Sequence, residues 1–276
     1  MNNPRSSESQ ALKRGVAFWH VREGADSIPS VLTRGSVVDH TARQLRWPEL
    51  LNARDLGGLP AEGGTTRFKA VIRSDSLYRL TDAGWADLEA YGVTTIVDIR
   101  APTERRARPV RVRGAVDYRN VALLDDAALA RVNRRFDIEG DNYLWQLEYD
   151  PHRVGTILTV IADAAPGGVL IHCEAGKDRT GLIAALVLSI ARVDQPVVAA
   201  DYALSAPTLV GMMEEHLSAE PDLSRWDLVR SRYQSSPDAM SGLLAELDRR
   251  HGDVVHYLRF AGVPDDVRER IKARLA

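Results

Sequence analysis

Cysteine is almost missing from this chain: its 276 residues contain one, Cys173. No intramolecular disulfide can form, which fits a reducing compartment, and no second thiol is at hand to protect the first by pairing with it. Lysine is nearly as scarce, with Lys13, Lys69, Lys177 and Lys272 the only ones among 36 basic residues. Arginine therefore carries the positive charge, mostly a matter of coding bias, and a lysine inside a motif is less a default choice. The net charge is −2, so the chain lacks the single-sign field that a nucleic-acid polymer or a membrane surface would select. Long apolar runs are lacking too. The most apolar, Leu182 to Ala191, is too short to span a bilayer. The polar stretch Met1 to Gln10 lacks a signal-peptide core. These absences lead us to expect a cytoplasmic protein with no transmembrane segment. No internal repeat and no low-complexity tract is visible.

What is present centres on the one cysteine. Val169-Leu170-Ile171 is a β-like stretch ending at His172-Cys173, followed by Glu174-Ala175-Gly176-Lys177-Asp178-Arg179-Thr180-Gly181 and then an apolar helix-like segment. A buried core cysteine is the bland alternative, but a core strand does not run into Glu-Ala-Gly-Lys-Asp-Arg before turning apolar again. The chemistry of a phosphate-binding nucleophile loop fits better. A thiol is a poor nucleophile until ionised, and a free cysteine titrates near ~8.5. A loop of inward-pointing N–H groups feeding a helix N-terminus attracts anions and favours the thiolate. Arg179 can grip two phosphate oxygens with its planar fork. Gly176 permits a tight turn, Thr180 can donate its hydroxyl to the sulfur, and His172 can orient the loop from behind. A Walker-type loop is excluded, because Lys177 is followed by Asp178 and position 171 is Ile171 rather than glycine.

His-Cys-x5-Arg-Thr-Gly is the signature of the cysteine-dependent protein tyrosine phosphatase superfamily. The tail Ala-Gly-Lys-Asp-Arg-Thr-Gly resembles its bacterial atypical branch, which includes protein tyrosine and phosphoinositide phosphatases. Asn52-Ala53-Arg54-Asp55-Leu56-Gly57-Gly58 resembles that branch's Asn-x-Arg-Asp-hydrophobic-Gly-Gly block. Arg73-Ser74-Asp75 and Ile96-Val97-Asp98-Ile99-Arg100 resemble its Arg-Ser and Asp-Leu-Arg blocks. The resemblance runs in order over residues 46 to 276. It implies a metal-free phosphomonoester hydrolase with a phosphocysteine intermediate, no cofactor, and Cys173, Asp178 and Arg179 as catalytic residues. Glu174, Ala175, Gly176, Lys177 and Thr180 would bind the phosphate. The substrate it implies is a phosphorylated protein, first of all at tyrosine, with phosphoserine, phosphothreonine or a phosphoinositide lipid as further candidates.

A general acid must protonate the leaving oxygen. No Trp-Pro-Asp triplet is present, and Trp47-Pro48-Glu49 lies far upstream, where it reads as a packing aromatic with a turn. In the atypical branch the loop aspartate before the arginine is taken as the acid, which here is Asp178. Its alternative role is to pin Arg179 or the loop backbone. Asp98 is the second choice, although its place beside Arg100 on a strand end favours a buried ion pair supporting the loop. Asp125 and Asp126 come third. Asn52 and Arg54 read as ties between their segment and the sheet.

Glu174 departs from the pattern, because the position after the cysteine faces the pocket mouth in the superfamily. A carboxylate there would repel a second phosphate by ~4 kcal/mol at ~4 Å and an effective dielectric of about 20, and would suit a diol. That favours an alternative substrate, a small metabolite such as a nucleotide or sugar phosphate, unless Glu174 pairs with Lys177 instead. A phosphate-binding module without turnover is a third reading, against which Cys173, Asp178 and Arg179 all count.

Alternating patterns predict an α/β fold, a mainly parallel sheet flanked by helices. Strands are expected at Ala70 to Ile72, Val93 to Ile99, Tyr118 to Leu124 and Val169 to His172. Helices are expected from Thr81 to Tyr91, with Thr81 as N-cap, from Arg153 to Ala164, and from Arg179 to Arg192, the last apolar all round and therefore central. The chain beyond Val197 reads as helical, including Ser241 to Arg250 and Asp266 to Leu275. Residues 205–236 stand where relatives carry a helical lid. Residues 1–45 carry no motif and read as an arm or extension before one phosphatase domain, 46–276.

Overall fold

The computed structural model describes residues 32–33, 36–38, 40–135, 140 and 142–276, so most of the expected N-terminal arm lies outside the described residues. A five-stranded sheet forms the centre, in the order β3 (Arg54–Asp55), β6 (Val71–Ser74), β9 (Gly168–His172), β7 (Val93–Asp98), β8 (Asp117–Asn120). Only β3 runs antiparallel to its neighbour. Two small hairpins precede or flank it, β1 (Leu32–Thr33) with β2 (Ser36–Val37) and β4 (Pro60–Ala61) with β5 (Gly64–Thr65), while Gln44 bridges Arg54.

Register brings the motifs together. Ser74 and Asp98 both stand opposite His172, and Asp98 stands opposite Asn120. The carboxyl ends of β6, β9, β7 and β8 therefore lie at one level, and the segments after Ser74, Asp98 and His172 emerge side by side. That edge is where ligands bind in parallel sheets.

Strand alternation sorts the core into two layers. Val71, Val97, Val169 and Ile171 point into one apolar cluster. Ile72, Ile96 and Leu170 point into the other, with Trp47, Trp85 and Leu88. The first layer holds α4 (Tyr143–Tyr149), α5 (Pro151–Asp163), α6 (Asp178–Ile190), α7 (Gln195–Ala203), α11 (Pro237–His251), α12 (Val254–Phe260) and α13 (Asp265–Leu275). The second holds α1 (Asp82–Tyr91). Helix α6 is the expected central helix. Leu182, Ile183, Leu186, Val187 and Leu188 are all at most 1% exposed, each contributing ~1.5–3 kcal/mol of transfer free energy. Thr81 caps α1 by accepting from the N–H of Gly84, and Gly92 ends it in the left-handed region at φ 99°.

The strand expected from Tyr118 to Leu124 stops at Asn120. Its partner β7 ends at Asp98, and the N–H groups of Val121 and Leu123 turn to the carbonyls of Asp98 and Ile99 instead. Two further short helices, α2 (Pro102–Ala107) and α3 (Asp126–Arg135), follow β7 and β8. Helices α8 (Ser205–Thr208), α9 (Val210–Ala219) and α10 (Trp226–Ser231) span the expected lid region. Among the described residues no helix is long and apolar enough to cross a membrane. Trp47 packs edge-on against Tyr91, ring centroids 5.6 Å apart, as a core aromatic.

A charged knot ties these layers. Asp201 on α7, 1% exposed, accepts from Arg43, from Arg54 Nε at 3.2 Å and from Arg73 Nη1 at 2.8 Å. Burial would raise this carboxyl, but the surrounding guanidinium groups of Arg54, Arg43 and Arg73 hold it far below the usual carboxylate range. Arg54 is pulled down to about 9 by burial and by Arg73, which leaves it charged at neutral pH. Arg43 falls within the segment expected to be an arm, yet its side chain is fully buried.

Asp201→Asn should therefore cost about 3–5 kcal/mol, because it strands buried guanidinium groups. Urea denaturation at neutral pH is the measurement. Since the folded carboxyl sits below its unfolded value, its contribution is present above about pH 4 and is lost as pH falls further. The wild type should lose stability more steeply than the variant on acidification.

Candidate active site

The loop from Cys173 to Lys177 joins β9 to α6, and each of its carbonyls is held from the sheet side. The Cys173 carbonyl lies 3.0 Å from His172 Nδ1. The Glu174 carbonyl accepts from Ser76 N at 2.9 Å, and the Ala175 carbonyl from Asn52 Nδ2 at 3.0 Å. Arg73 Nη2 donates to Gly176 O at 2.7 Å and to Lys177 O at 3.2 Å. With the carbonyls drawn back, the N–H groups have to face elsewhere. Among the described residues none accepts a hydrogen bond from the backbone N–H of residues 174 to 180. Such a run of unpaired N–H groups at a helix N-terminus is an anion site.

Two glycines make the loop and helix fit. Gly176 has φ 66°, and a Cβ there would stand 2.3 Å from the Ser74 carbonyl oxygen. A Cβ at Gly181 would stand 2.9 Å from the Tyr202 ring, so the motif's last glycine lets α7 lie against the first turn of α6.

Cys173 is a free thiol, 2% exposed. Arg179, 8% exposed, is gripped by Glu104, with Nη1 to Oε2 at 2.6 Å and Nη2 to Oε1 at 2.7 Å. Burial works against its charge, but Cys173 and Glu104 hold the guanidinium above the usual arginine range. Two of its five N–H donors are spent on Glu104, leaving three for a phosphate. Glu104 also accepts from Ala101 N at 2.8 Å, capping α2.

His172 is fully buried, and burial lowers its imidazole below the ordinary range. A carbonyl only accepts, so Nδ1 carries the proton and donates to Cys173 O. That leaves Nε2 an acceptor, 3.9 Å from Asp98 Oδ2 and without a hydrogen bond. Asp98 is itself fully buried and forks onto Arg100, with Nη2 to Oδ2 at 2.8 Å and Nε to Oδ1 at 3.1 Å, while Tyr118 donates to Oδ2. Burial pushes the Asp98 carboxyl up, but Arg100 and Tyr118 hold it below the usual range; a His172 ring kept neutral by its own burial adds little. Asp98 and Arg100 thus form a buried ion pair. Asp125 caps α3, accepting from Ala128 N at 2.8 Å, and Asp126 binds Thr103.

Two expected contacts differ. Glu174 does not pair with Lys177. Its carboxylate takes Arg108 and lies 3.7 Å from Arg100 Nη1, since those arginines flank the mouth and Lys177 turns inward. Lys177, 3% exposed, donates to the carbonyls of Arg232 at 2.7 Å and Gln234 at 2.6 Å, and stands 3.4 Å from Asp178 Oδ1. Thr180 Oγ1 is buried with no hydrogen-bond partner, the sulfur included. Asn52 and Arg54 tie their segment to the loop and to α7, with Arg54 Nη2 donating to Asp201 O at 2.8 Å. Asn52 Oδ1 accepts from Arg54 Nη1 at 2.5 Å and from Thr208 Oγ1 at 3.0 Å.

Asp178 opens α6, with its side chain 40% exposed. It faces a pocket of about 170 Å³ bordered by Leu129, Val132, Asn142, Tyr143, Arg179 and Arg232. Residues 205–236 pack on the loop's other flank, where Ala175 meets Leu209, Met212 and Tyr233. Arg79 pairs with Glu215 of α9 at 2.8 Å. A larger depression, about 520 Å³, lies at the far end of α6 around Arg192 and Asp194 and touches none of the loop residues.

The nucleophile loop at the carboxyl edge of a parallel sheet, with its arginine braced by a carboxylate, defines a cysteine-based phosphatase site. Residues 45–276 match the tyrosine phosphatase family, and the chain belongs to that family. It is 31% identical over 219 residues to a tyrosine-protein phosphatase of Nostoc commune, covering 75% of this chain and 74% of that protein. It is 30% identical over 251 residues to the triple specificity protein phosphatase PtpB of Mycobacterium tuberculosis, covering 74% of this chain and 90% of that protein.

Glu104, Asp201, Arg43 and Tyr143 were not expected at the site. Glu104 had a signal, since Pro102 with an acid two residues on marks a helix start. Asp201 had a fainter one, an acid within the apolar stripe Val197, Val198 and Tyr202.

Glu104→Gln keeps an acceptor for the α2 cap but removes the charge that braces Arg179. We expect a 10- to 100-fold loss in kcat/KM for an aryl phosphate, the range for a misplaced catalytic group, with a thermal midpoint near that of the wild type. Steady-state kinetics beside calorimetry measure both.

Proposed function

We propose that this chain hydrolyses phosphate monoesters through a phosphocysteine intermediate, with phosphotyrosine in proteins as its first substrate. The observation that carries this reading is the convergence of Cys173 Sγ, the unpaired N–H groups of residues 174–180 and the braced Arg179 guanidinium at the N-terminus of α6. The Cys173 thiolate attacks phosphorus, forming the S–P bond as the bond to the leaving oxygen breaks. The loop amides and Arg179 stabilise the equatorial oxygens. Asp178 gives its proton to the leaving oxygen. Water then attacks the thiophosphate, Asp178 takes back a proton, and phosphate and thiolate are released. No metal ion enters these steps.

The names of the two relatives, a tyrosine-protein phosphatase and a triple specificity protein phosphatase, support a protein substrate, with phosphoserine, phosphothreonine or a phosphoinositide as extensions. The metabolite reading rested on a free carboxylate at Glu174, and Arg108 takes up that carboxylate. Residues 46–276 act as one phosphatase domain, to which Arg43 of the preceding segment contributes. A cytoplasmic setting suits a nucleophile that must remain a free thiol.

Cys173→Ser should abolish turnover while retaining phosphate binding, since the amides and Arg179 remain; wild-type rates in this variant would sink the mechanism. EDTA should leave the rate unchanged. Asp178→Asn should slow alkyl phosphates far more than an activated aryl phosphate, whose leaving group departs without a proton. An equal loss on all substrates would make Asp178 a loop-positioning residue.

A further inference from the structure

One buried tyrosine pair has no part in the steps above. Tyr143 on α4 and Tyr202 on α7 are 2% and 1% exposed. Their rings meet edge to face at 6.0 Å and their hydroxyls hydrogen-bond each other. The Tyr143 hydroxyl also donates to Asp178 Oδ1. Two tyrosine hydroxyls buried to this degree have to find partners, and a hydrophobic core would be served as well by phenylalanine.

We infer that Tyr143 is a positioning residue for the general acid, fixing which oxygen of Asp178 carries the proton. The argument rests on the reading of Asp178 as the acid. Oδ1 receives the Tyr143 hydroxyl and lies 3.4 Å from the Lys177 ammonium. An oxygen already facing two donors is a poor place for a proton. Oδ2 takes no hydrogen bond from any described residue, so a protonated Asp178 carries its hydrogen there.

The direction of the hydrogen bond is set by the surroundings. Burial, with Asp178 and Tyr202 alongside, pushes the Tyr143 hydroxyl well above the ordinary tyrosine range. It stays a neutral donor to Asp178 throughout the working range. The charged groups facing Asp178 are Lys177 and Arg179 from its own loop and Arg232 across the pocket; from α4 the facing groups are Tyr143 and the uncharged Asn142 and Gln146. A donor to a carboxylate oxygen binds the ionised form better than the protonated one, so deleting that donor has a defined sign.

The test is Tyr143→Phe, which keeps the ring and deletes the hydroxyl. The hydroxyl steadies the carboxylate, so without it Asp178 keeps its proton to higher pH. The descending limb of the kcat/KM pH profile should move upward, by about one to two units for the loss of one hydrogen bond to a charged group. Because the proton is no longer confined to Oδ2, alkyl phosphates should slow about tenfold relative to an activated aryl phosphate. Tyr202→Phe leaves Tyr143 its bond to Asp178 and should move the limb less, in the same direction. Thermal melts of both variants report the packing contribution separately. An unmoved limb with equal loss on all leaving groups, while Asp178→Asn still shows its leaving-group split, overturns the role of Tyr143 alone. If Asp178→Asn shows no split either, the failure belongs to the acid assignment.

Discussion

The contact on which the rest of this site depends is the carboxylate of Asp201. One buried anion gathers Arg43, Arg54 and Arg73, which come from the segment before the sheet, the edge strand β3 and the inner strand β6. A single carboxylate cannot neutralise three guanidinium groups, and the excess is spread over carbonyl and amide oxygens. Arg43 donates to Asp55 O, Arg54 to Asp201 O and Asn52 Oδ1, and Arg73 to Gly176 O and Lys177 O. Burying such a cluster is a poor way to gain stability, since desolvation offsets most of the Coulomb attraction. Its consequence is geometric. It clamps the backbone of a loop that has no regular secondary structure of its own.

That clamp explains how the loop comes to bind an anion. A loop has as many carbonyls as amides, so an anion site requires that the carbonyls be satisfied elsewhere. Here each carbonyl from Cys173 to Lys177 has a donor on the sheet side: His172, Ser76, Asn52 and Arg73. The amides of residues 174 to 180 are left without an acceptor among the described residues. The donors belong to three separate stretches of chain, brought to one level by the parallel pairing of Ser74 with His172 and the antiparallel pairing of Arg54 with Arg73.

Charge around the mouth is balanced in a similar way. Glu104 braces Arg179 without quenching it, because a bidentate grip leaves the remaining N–H groups open. Glu174 is opposed by Arg108, which also lies over the Tyr78 ring at 5.2 Å. A carboxylate that looks repulsive in isolation is therefore one half of an ion pair. Its effect on a second phosphate is smaller than the bare Coulomb term suggests. Lys177, the loop's lysine, is spent on the carbonyls of Arg232 and Gln234 in the turn after α10, which ties the loop to that segment.

The local chemistry was legible from residue order. His172 to Gly181 specify a nucleophile, an anion-binding turn and a helix start, because those properties depend on neighbours in the chain. Strand and helix positions followed from periodicity, and Thr81 and Gly92 bounded α1 through their own backbone preferences. Only the tertiary structure decided the long-range pairings. Arg43 and Asp201 are 158 residues apart, Glu104 and Arg179 are 75 apart, and Tyr143 meets Asp178 across 35. Nothing in a single sequence says which of many arginines a given carboxylate will meet. The strand expected to run to Leu124 ended early because its partner did, which is a property of the sheet and not of the segment. Glu174 was read as a carboxylate at the pocket mouth or a partner of Lys177, but side-chain direction at a turn is set by φ and ψ and by what packs behind it, and Arg108 takes it up. The sequence by itself determined which groups could do chemistry; the fold decided which of them face one another, because pairing energy depends on distances that chain separation does not encode.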